Sequence, residues 1–250
     1  MKVICISSFK GGTGKTSVSL HVGSCLSLFH KKKVLLIDFD AQANLSAGLG
    51  FDPDEQDSIA TVFNNQKSIE KVILPTSIKN LDLIPADSWL ERIELTEPLV
   101  SNRYAHERLL ELIKTLDYDI VIIDTPPSLC WLSESALIAA THSLICTTAE
   151  FYSVKGLQRL HTFIKTIAKR HPLNIIGVCV SFWNTRGKNN NAFSELIESI
   201  FPHKLLSSRI RRDINISEAS IHGKPVFSVN AKSRASNDYK NLTKEIIHKM

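Results

Sequence analysis

The chain has 250 residues, of which 43% are hydrophobic, 22% charged and 7% aromatic. Such a balance suits one domain over 1–250 that buries a continuous core without covalent staples. The formal charge of +5 permits an anionic partner without requiring one. Five scattered cysteines with no Cys-x-x-Cys pair argue against a thiolate metal cluster or disulfide framework and fit a reducing cytoplasm. No run approaches the ~20 apolar residues that span a bilayer.

Short apolar runs alternate with segments of helical period, the pattern of βαβ units around a parallel sheet. Strands are predicted at 3–7, 34–38, 81–86, 120–124, 143–148 and 175–181, several of them apolar at nearly every position. That continuity is expected of strands covered on both faces. Helices are predicted at 15–30, 58–72, 88–116, 131–140, 153–170, 190–201 and 233–249. The stretches 50–58, 183–191 and 207–225 interrupt the rhythm, the last being basic, then briefly helical, then broken at Gly223 and Pro225. Trp89, Trp131 and Trp183 are expected as packing groups.

After the first strand stands "SFKGGTGKTSVSL", residues 7–19. Gly11, Gly12 and Gly14 allow positive φ and close approach of the backbone to a phosphate. Successive N–H groups from Lys10 through Ser17, Thr13 included, then converge on the anion, and the following helix adds its positive end. Lys15 is placed to bridge terminal phosphates and Thr16 to ligate Mg²⁺. Phe9 occupies the position where the ordinary G-x-x-x-x-G-K-[ST] loop has glycine, and Lys10 adds a second cation. Read from the residues alone, Lys10 folds back in cis, is solvated, or reaches a nucleotide held by another copy.

A metal-bound nucleotide needs carboxylates. Asp38 and Asp40 end one buried strand, spaced to share a face, and Asp124 ends another in "IVIIDTPPS". Pro126 and Pro127 stiffen the turn that follows. In the last third, Arg209, Arg211 and Arg212 with Arg186, Lys188, Lys232, Arg234 and Lys240 give a cationic bias. Such a patch suits sequence-independent contact with duplex phosphates. It lacks both the interleaved aromatics of single-strand binders and a helix-turn-helix cue.

Together these motifs resemble the ParA/MinD group of P-loop ATPases, the deviant Walker A class. Lys10 to Thr16 match its K-G-G-x-G-K-[TS]. "VLLIDFDAQANLSAGLG" is similar to its D-x-D-P-Q-x-N segment, "VIIDTPPSL" to its Walker B region, and "EFYSVKGLQRL" to its E-x-x-x-x-x-G-L segment. "SEASIHGKPV" and "SRASNDYKNLTKEI" resemble the C-terminal part of the partition branch. With no N-terminal DNA-binding extension expected, the likeness is to small Soj-type proteins. Ala41 departs from the usual Pro, and Asn215 and Arg211 stand where relatives have Arg and Pro.

The resemblance implies a mostly parallel, twisted sheet with helices on both faces, and an ATPase using ATP and Mg²⁺. It makes Lys10 a trans lysine, Lys15 the cis lysine and Asp40 the residue that positions the attacking water. Thr16, Asp38 and Asp124 would lie at the metal. It implies an ATP-dependent homodimer, nucleoid-associated in the cytoplasm, that binds double-stranded DNA non-specifically and is stimulated by a ParB-type partner to partition a chromosome or plasmid. DNA contacts then fall to Arg186, Arg209, Arg211 and Arg212. The alternative is a MinD-like positioning ATPase at a membrane surface. The ending "NLTKEIIHKM" has no aromatic wedge to anchor it, so a membrane is not the expected partner.

Overall fold

The computed structural model describes residues 1–95, 105–150 and 153–250. Its strands are β1 (Lys2–Ser7), β2 (Val34–Asp38), β3 (Leu74–Pro75), β4 (Leu81–Ile84), β5 (Ile120–Asp124), β6 (His142–Thr148), β7 (Asn174–Trp183) and β8 (Leu205–Arg211). They form one sheet in the order β3-β4-β2-β5-β1-β6-β7-β8. Every neighbouring pair is parallel except the short β3–β4 contact.

The helices, in chain order, are α1 (Lys15–His30), α2 (Asn44–Gly48), α3 (Ile59–Phe63), α4 (Trp89–Leu95), α5 (Arg108–Ile113) and α6 (Trp131–Ala139). They continue as α7 (Ser153–Ala168), α8 (Asn190–Ile200), α9 (Ile214–Ile221), α10 (Val226–Val229) and α11 (Arg234–Lys249). They cover both faces of the sheet. Val3, Cys5, Leu35, Ile37, Val121 and Ile123 face one core, shared with α3 to α8. Their neighbours Ile4, Ile6, Val34, Leu36, Ile120 and Ile122 face the other, shared with α1, α2 and α9 to α11. The period of two in strand side chains, with apolar residues at every position, is what a doubly covered sheet requires.

All six predicted strands are present, and 34–38 and 120–124 have the predicted bounds. The stretch 207–225 is corrected: it opens inside β8, an edge strand on β7, before turning into α9. Its serines and arginines are tolerated because an edge strand is solvated along one side. The single helix expected at 58–72 is two short ones. α3 ends at Phe63, Asn65 turns left-handed at φ 57°, and a 3₁₀ turn follows at Ile69–Val72. Of the helix expected at 88–116, residues 96–104 lie outside the described residues. The described parts are α4, a 3₁₀ turn at Ala105–Glu107 and α5. Trp89 is also corrected: it is 52% exposed, with the Arg92 guanidinium over its ring at 4.3 Å.

Candidate functional site

The C-terminal ends of β1, β2 and β5 lie side by side, and Asp38 is paired in register with Asp124. The loop 8–14, the carboxylates at 38, 40 and 124, and the start of α1 therefore meet at one edge of the sheet. This is where open parallel sheets bind ligands.

The loop is laced from within. Ser8 Oγ donates to the Lys10 carbonyl at 2.7 Å and accepts from the Lys10 N–H, while Thr13 Oγ1 donates to Ser8 Oγ at 2.9 Å. Thr13 is 2% exposed, and its side chain braces the loop from within. Gly12 and Gly14 have φ of 71° and 81°. The left-handed φ favours glycine at 14, and a Cβ there would also lie 3.1 Å from Ser181 Oγ, a tight contact to which the serine would have to yield. A cleft of about 550 Å³ opens over this loop, bounded by Lys15, Thr16, Asp40, Gln42 and Pro127.

Lys15 is 7% exposed and buried beneath the loop. Thr16 Oγ1 donates to Asp124 Oδ2 at 2.7 Å, and Ser19 Oγ donates to Asp124 Oδ1 at 2.8 Å. Burial pushes the Asp124 carboxyl up to about 6, opposed by the Thr16 hydrogen bond and the Lys15 charge. Asp38 is pushed further, to about 7, by burial and then by the nearby Asp124. Its Oδ2 accepts from both the N–H and the hydroxyl of Ser46, and its Oδ1 accepts from the Asp40 N–H. Asp38 thus ties β2 to α2 as well as standing beside Asp124.

Two buried carboxylates in register form a concentration of negative charge that one divalent cation would neutralise. Thr16, with its hydroxyl on Asp124 and its place on the cleft wall, is the group positioned to hold such an ion from the loop side. Asp40 also lines the cleft. Its Oδ1 accepts from the Gln42 N–H at 3.1 Å, and its carbonyl accepts from the Ala43 N–H at 2.9 Å. These bonds brace the turn in which Ala41 replaces proline.

Lys10 stands on the outer lip, its side chain 48% exposed, and its Nζ donates to Glu150 Oε2 at 2.5 Å. The structure therefore brings Lys10 to Ser17, Asp38, Asp40 and Asp124 to one edge of the sheet.

Next to the loop, a second cavity of about 780 Å³ shares Gly12, Gly14 and Ser17 with the cleft and is walled by Phe182, Ile210, Ile214 and Tyr239. Phe182 holds a left-handed φ of 54°, unusual for a bulky residue, and Arg212 lies 5.5 Å from its ring centroid.

The arginines are not equivalent. Arg211 is clamped by Asp238, Nε to Oδ2 at 3.0 Å and Nη2 to Oδ1 at 2.7 Å, with its backbone N–H on the same carboxylate. Arg209 is half-buried, 5.3 Å from the Trp183 ring centroid, and burial lowers its pKa. Arg212 and Arg186 are exposed. With Arg234 and Lys188, Arg212 lines a polar groove of about 750 Å³ beside Phe182. Asn215, at the position where relatives carry a cation, is engaged in the α9 cap through Asp213 Oδ1.

Sequence reasoning missed Ser8, Ser19 and Ser46, the hydroxyls that hold the loop, Asp124 and Asp38. It also missed Asp238, which silences one arginine. Ser19 sits one helical turn beyond Lys15 on α1, a spacing that could have flagged it; Ser46 and Asp238 meet their partners only through the tertiary fold.

A family model described as an AAA domain matches residues 1–176. The chain is 64% identical over 249 residues to a ParA family protein of Chlamydia trachomatis, covering 99% of this chain and 98% of the relative. It is 34% identical over 249 residues to the sporulation initiation inhibitor protein Soj of Bacillus subtilis, covering 98% of each. The solved septum site-determining protein MinD of Pyrococcus horikoshii, complexed with Mg-ADP, superposes with a TM-score of 0.81. That match covers 98% of this chain and 95% of that one, at 25% identity. Similarity over nearly the full length, on a fold that carries the double-lysine loop at its ligand edge, places the chain in the ParA/MinD family of P-loop NTPases.

Proposed function

We propose that the chain is an ATP-driven partition switch: it dimerises on ATP and Mg²⁺, holds duplex DNA without sequence preference, and lets go after hydrolysis. The observation that carries this reading is the placement of Lys10. It is an exposed cation on the lip of a glycine loop beneath which a first lysine, Lys15, is already buried. A second lysine held outward can serve a phosphate presented by another copy at little cost, since a surface ion pair such as that with Glu150 is worth only about 0–1 kcal/mol.

In this reading the N–H groups of 10–17 and Lys15 cradle the phosphates. Thr16 and Asp124, with Asp38 behind, hold the Mg²⁺, which when bound supplies charge neutralisation at the terminal phosphates. Asp40, fixed by its turn, orients the attacking water. The Phe182–Arg212 cavity receives the base. Pro126 and Pro127 couple the terminal phosphate to α6.

Duplex DNA contact falls first to Arg186 and Arg212, joined by Arg234 and Lys188. Arg209 and Arg211, paired or half-buried, add field more than direct contact. A ParB-type partner stimulates hydrolysis, and the protein acts on the nucleoid in the cytoplasm.

The membrane-surface alternative is less well supported. Leu242 and Ile246 of α11 are fully buried, and Ile247 and Met250 pack on the same core, so the apolar side of α11 is turned to the protein interior. The discriminating experiment is ATP turnover of the purified chain alone, with duplex DNA, and with anionic liposomes. DNA-dependent turnover is expected. Stimulation by liposomes alone would move the protein to the MinD-like class.

A further inference from the structure

We propose that α9 is a lid that closes over a nucleotide held in the cavity beside the phosphate loop, and that Ile214 and Ile221 are the side chains it closes with. Both line that cavity of about 780 Å³, yet they are 81% and 83% exposed. Among the described large apolar side chains only Leu95 is comparably exposed. The two recur at i and i+7, so one face of the helix carries both. Phe182, 39% exposed, lines the same cavity. Apolar surface gathered at the rim of a cavity is surface that an occupant would take out of water.

The helix is weakly packed along its length and tied at its ends. Of its eight residues Ala219 alone is buried, and Ile216 packs partly against the same core. By contrast α8 buries Phe193, Ile197 and Ile200. An element with so little burial opens and closes at low cost in free energy. At its start Asp213 Oδ1 accepts from the Asn215 N–H in the helix, and Oδ2 accepts from the Ala235 N–H at the head of α11. At its end Gly223 has a φ of 60°, and a Cβ there would lie 2.7 Å from Gly50 Cα. Glycine at 223 therefore lets the chain leave α9 flush against the backbone beyond α2. Fixed ends around a loosely held middle suit a lid.

The occupant follows from what else the helix touches. Ser220 of α9 lines both this cavity and the phosphate cleft with Lys15 and Thr16, and the two spaces share Gly12, Gly14 and Ser17. A nucleotide with its phosphates in the loop thus sets its base against α9. The flat faces of a base offer the two isoleucines and Phe182 a surface to cover, and covering it slows release. That the occupant is a nucleotide rests on the reading above. Closure within one copy needs no second chain, so it is available with ADP as well as ATP.

The test is hydrogen exchange, read by mass spectrometry over 214–221 and over 10–17, without nucleotide and with saturating ADP and Mg²⁺. The α9 amides are expected to slow at least about tenfold with ADP. A fluorescent ADP should leave Ile214→Ser/Ile221→Ser about tenfold faster, with its association rate unchanged. Protection over 10–17 with none over α9, or unchanged release from the double variant, overturns the lid and leaves the nucleotide site standing. Protection at neither place ends both. Protection of α9 that appears only with ATP and is lost in Lys10→Ala assigns the isoleucines to a contact between copies, which also overturns closure within one. If the double variant does not fold by circular dichroism, Ile221→Ser alone carries the same expectation.

Discussion

The nucleotide edge and the arginine-rich end of β8 are both dense in charge, yet they are built in opposite ways. At the nucleotide edge the charged groups are buried and unbalanced: Asp38 and Asp124 are shifted upward by burial, with Lys15 beneath the loop. Around β8 the sequence is richer in cations, but the fold spends part of them internally. Asp238 takes Arg211, Trp183 covers Arg209, and Arg212 and Arg186 stay exposed. Buried, uncompensated charge marks a place where a ligand completes the structure, whereas a count of arginines overstates the surface available to a partner.

The largest effect expected from breaking this contrast is at the nucleotide edge. Lys15→Ala should lower ATP binding or turnover about 100-fold, read with a fluorescent nucleotide and by phosphate release. Unchanged turnover would remove the site. Asp124→Asn should give a similar turnover loss, and raising Mg²⁺ should recover part of it.

At the other region the expected effects are smaller and divide by residue. Arg212→Glu should weaken duplex retention and reduce the slope of log K against log salt by about 0.9 for the lost cation, without lowering the melting temperature. Arg211→Glu should instead act through stability, because it sets two carboxylates together at Asp238. Asp238→Ala should cost about 2 kcal/mol by urea unfolding. Equal effects of the two arginines on DNA and on stability would erase the distinction.

A subtler prediction concerns α1. His21 stacks on Tyr239 at 4.3 Å, and burial holds its imidazole down at about 4, from 6.5 when unfolded. As pH falls, the unfolded chain is protonated first, so the stability present above 6.5 is lost between 6.5 and 4, by about 3 kcal/mol. His21→Phe should flatten that acid limb in thermal melts. Asp38 and Asp124, raised by burial, contribute with the opposite sign over that range, but equally in both proteins, so they cancel in the difference. An unaltered acid limb would show that His21 is not its source.

How much of this was legible in the sequence follows the same division. Lys15 and Thr16 could be placed from their spacing, because a buried strand, a glycine loop and a helix start fix one another over a few residues, and Asp124 was visible as the end of its own apolar strand. β8 was hidden because Ser207, Ser208, Arg209 and Arg211 break the apolar run, which an edge strand tolerates. The break in 58–72 depends on Asn65 turning left-handed, which apolar period does not report. Asp238 and Ser46 act on partners 27 and 8 residues away that only the fold brings within reach. Pairing, unlike spacing, is a tertiary property.

The central claim is that Lys10 completes a nucleotide site across two copies. It is tested most directly by the solution mass of Asp40→Ala, with ATP and Mg²⁺, in analytical ultracentrifugation. A species of twice the 27.9 kDa chain mass is expected, and it should revert to single-chain mass when Lys10→Ala is added or ADP replaces ATP. A single-chain species under every condition, or a dimer indifferent to Lys10, would contradict the account.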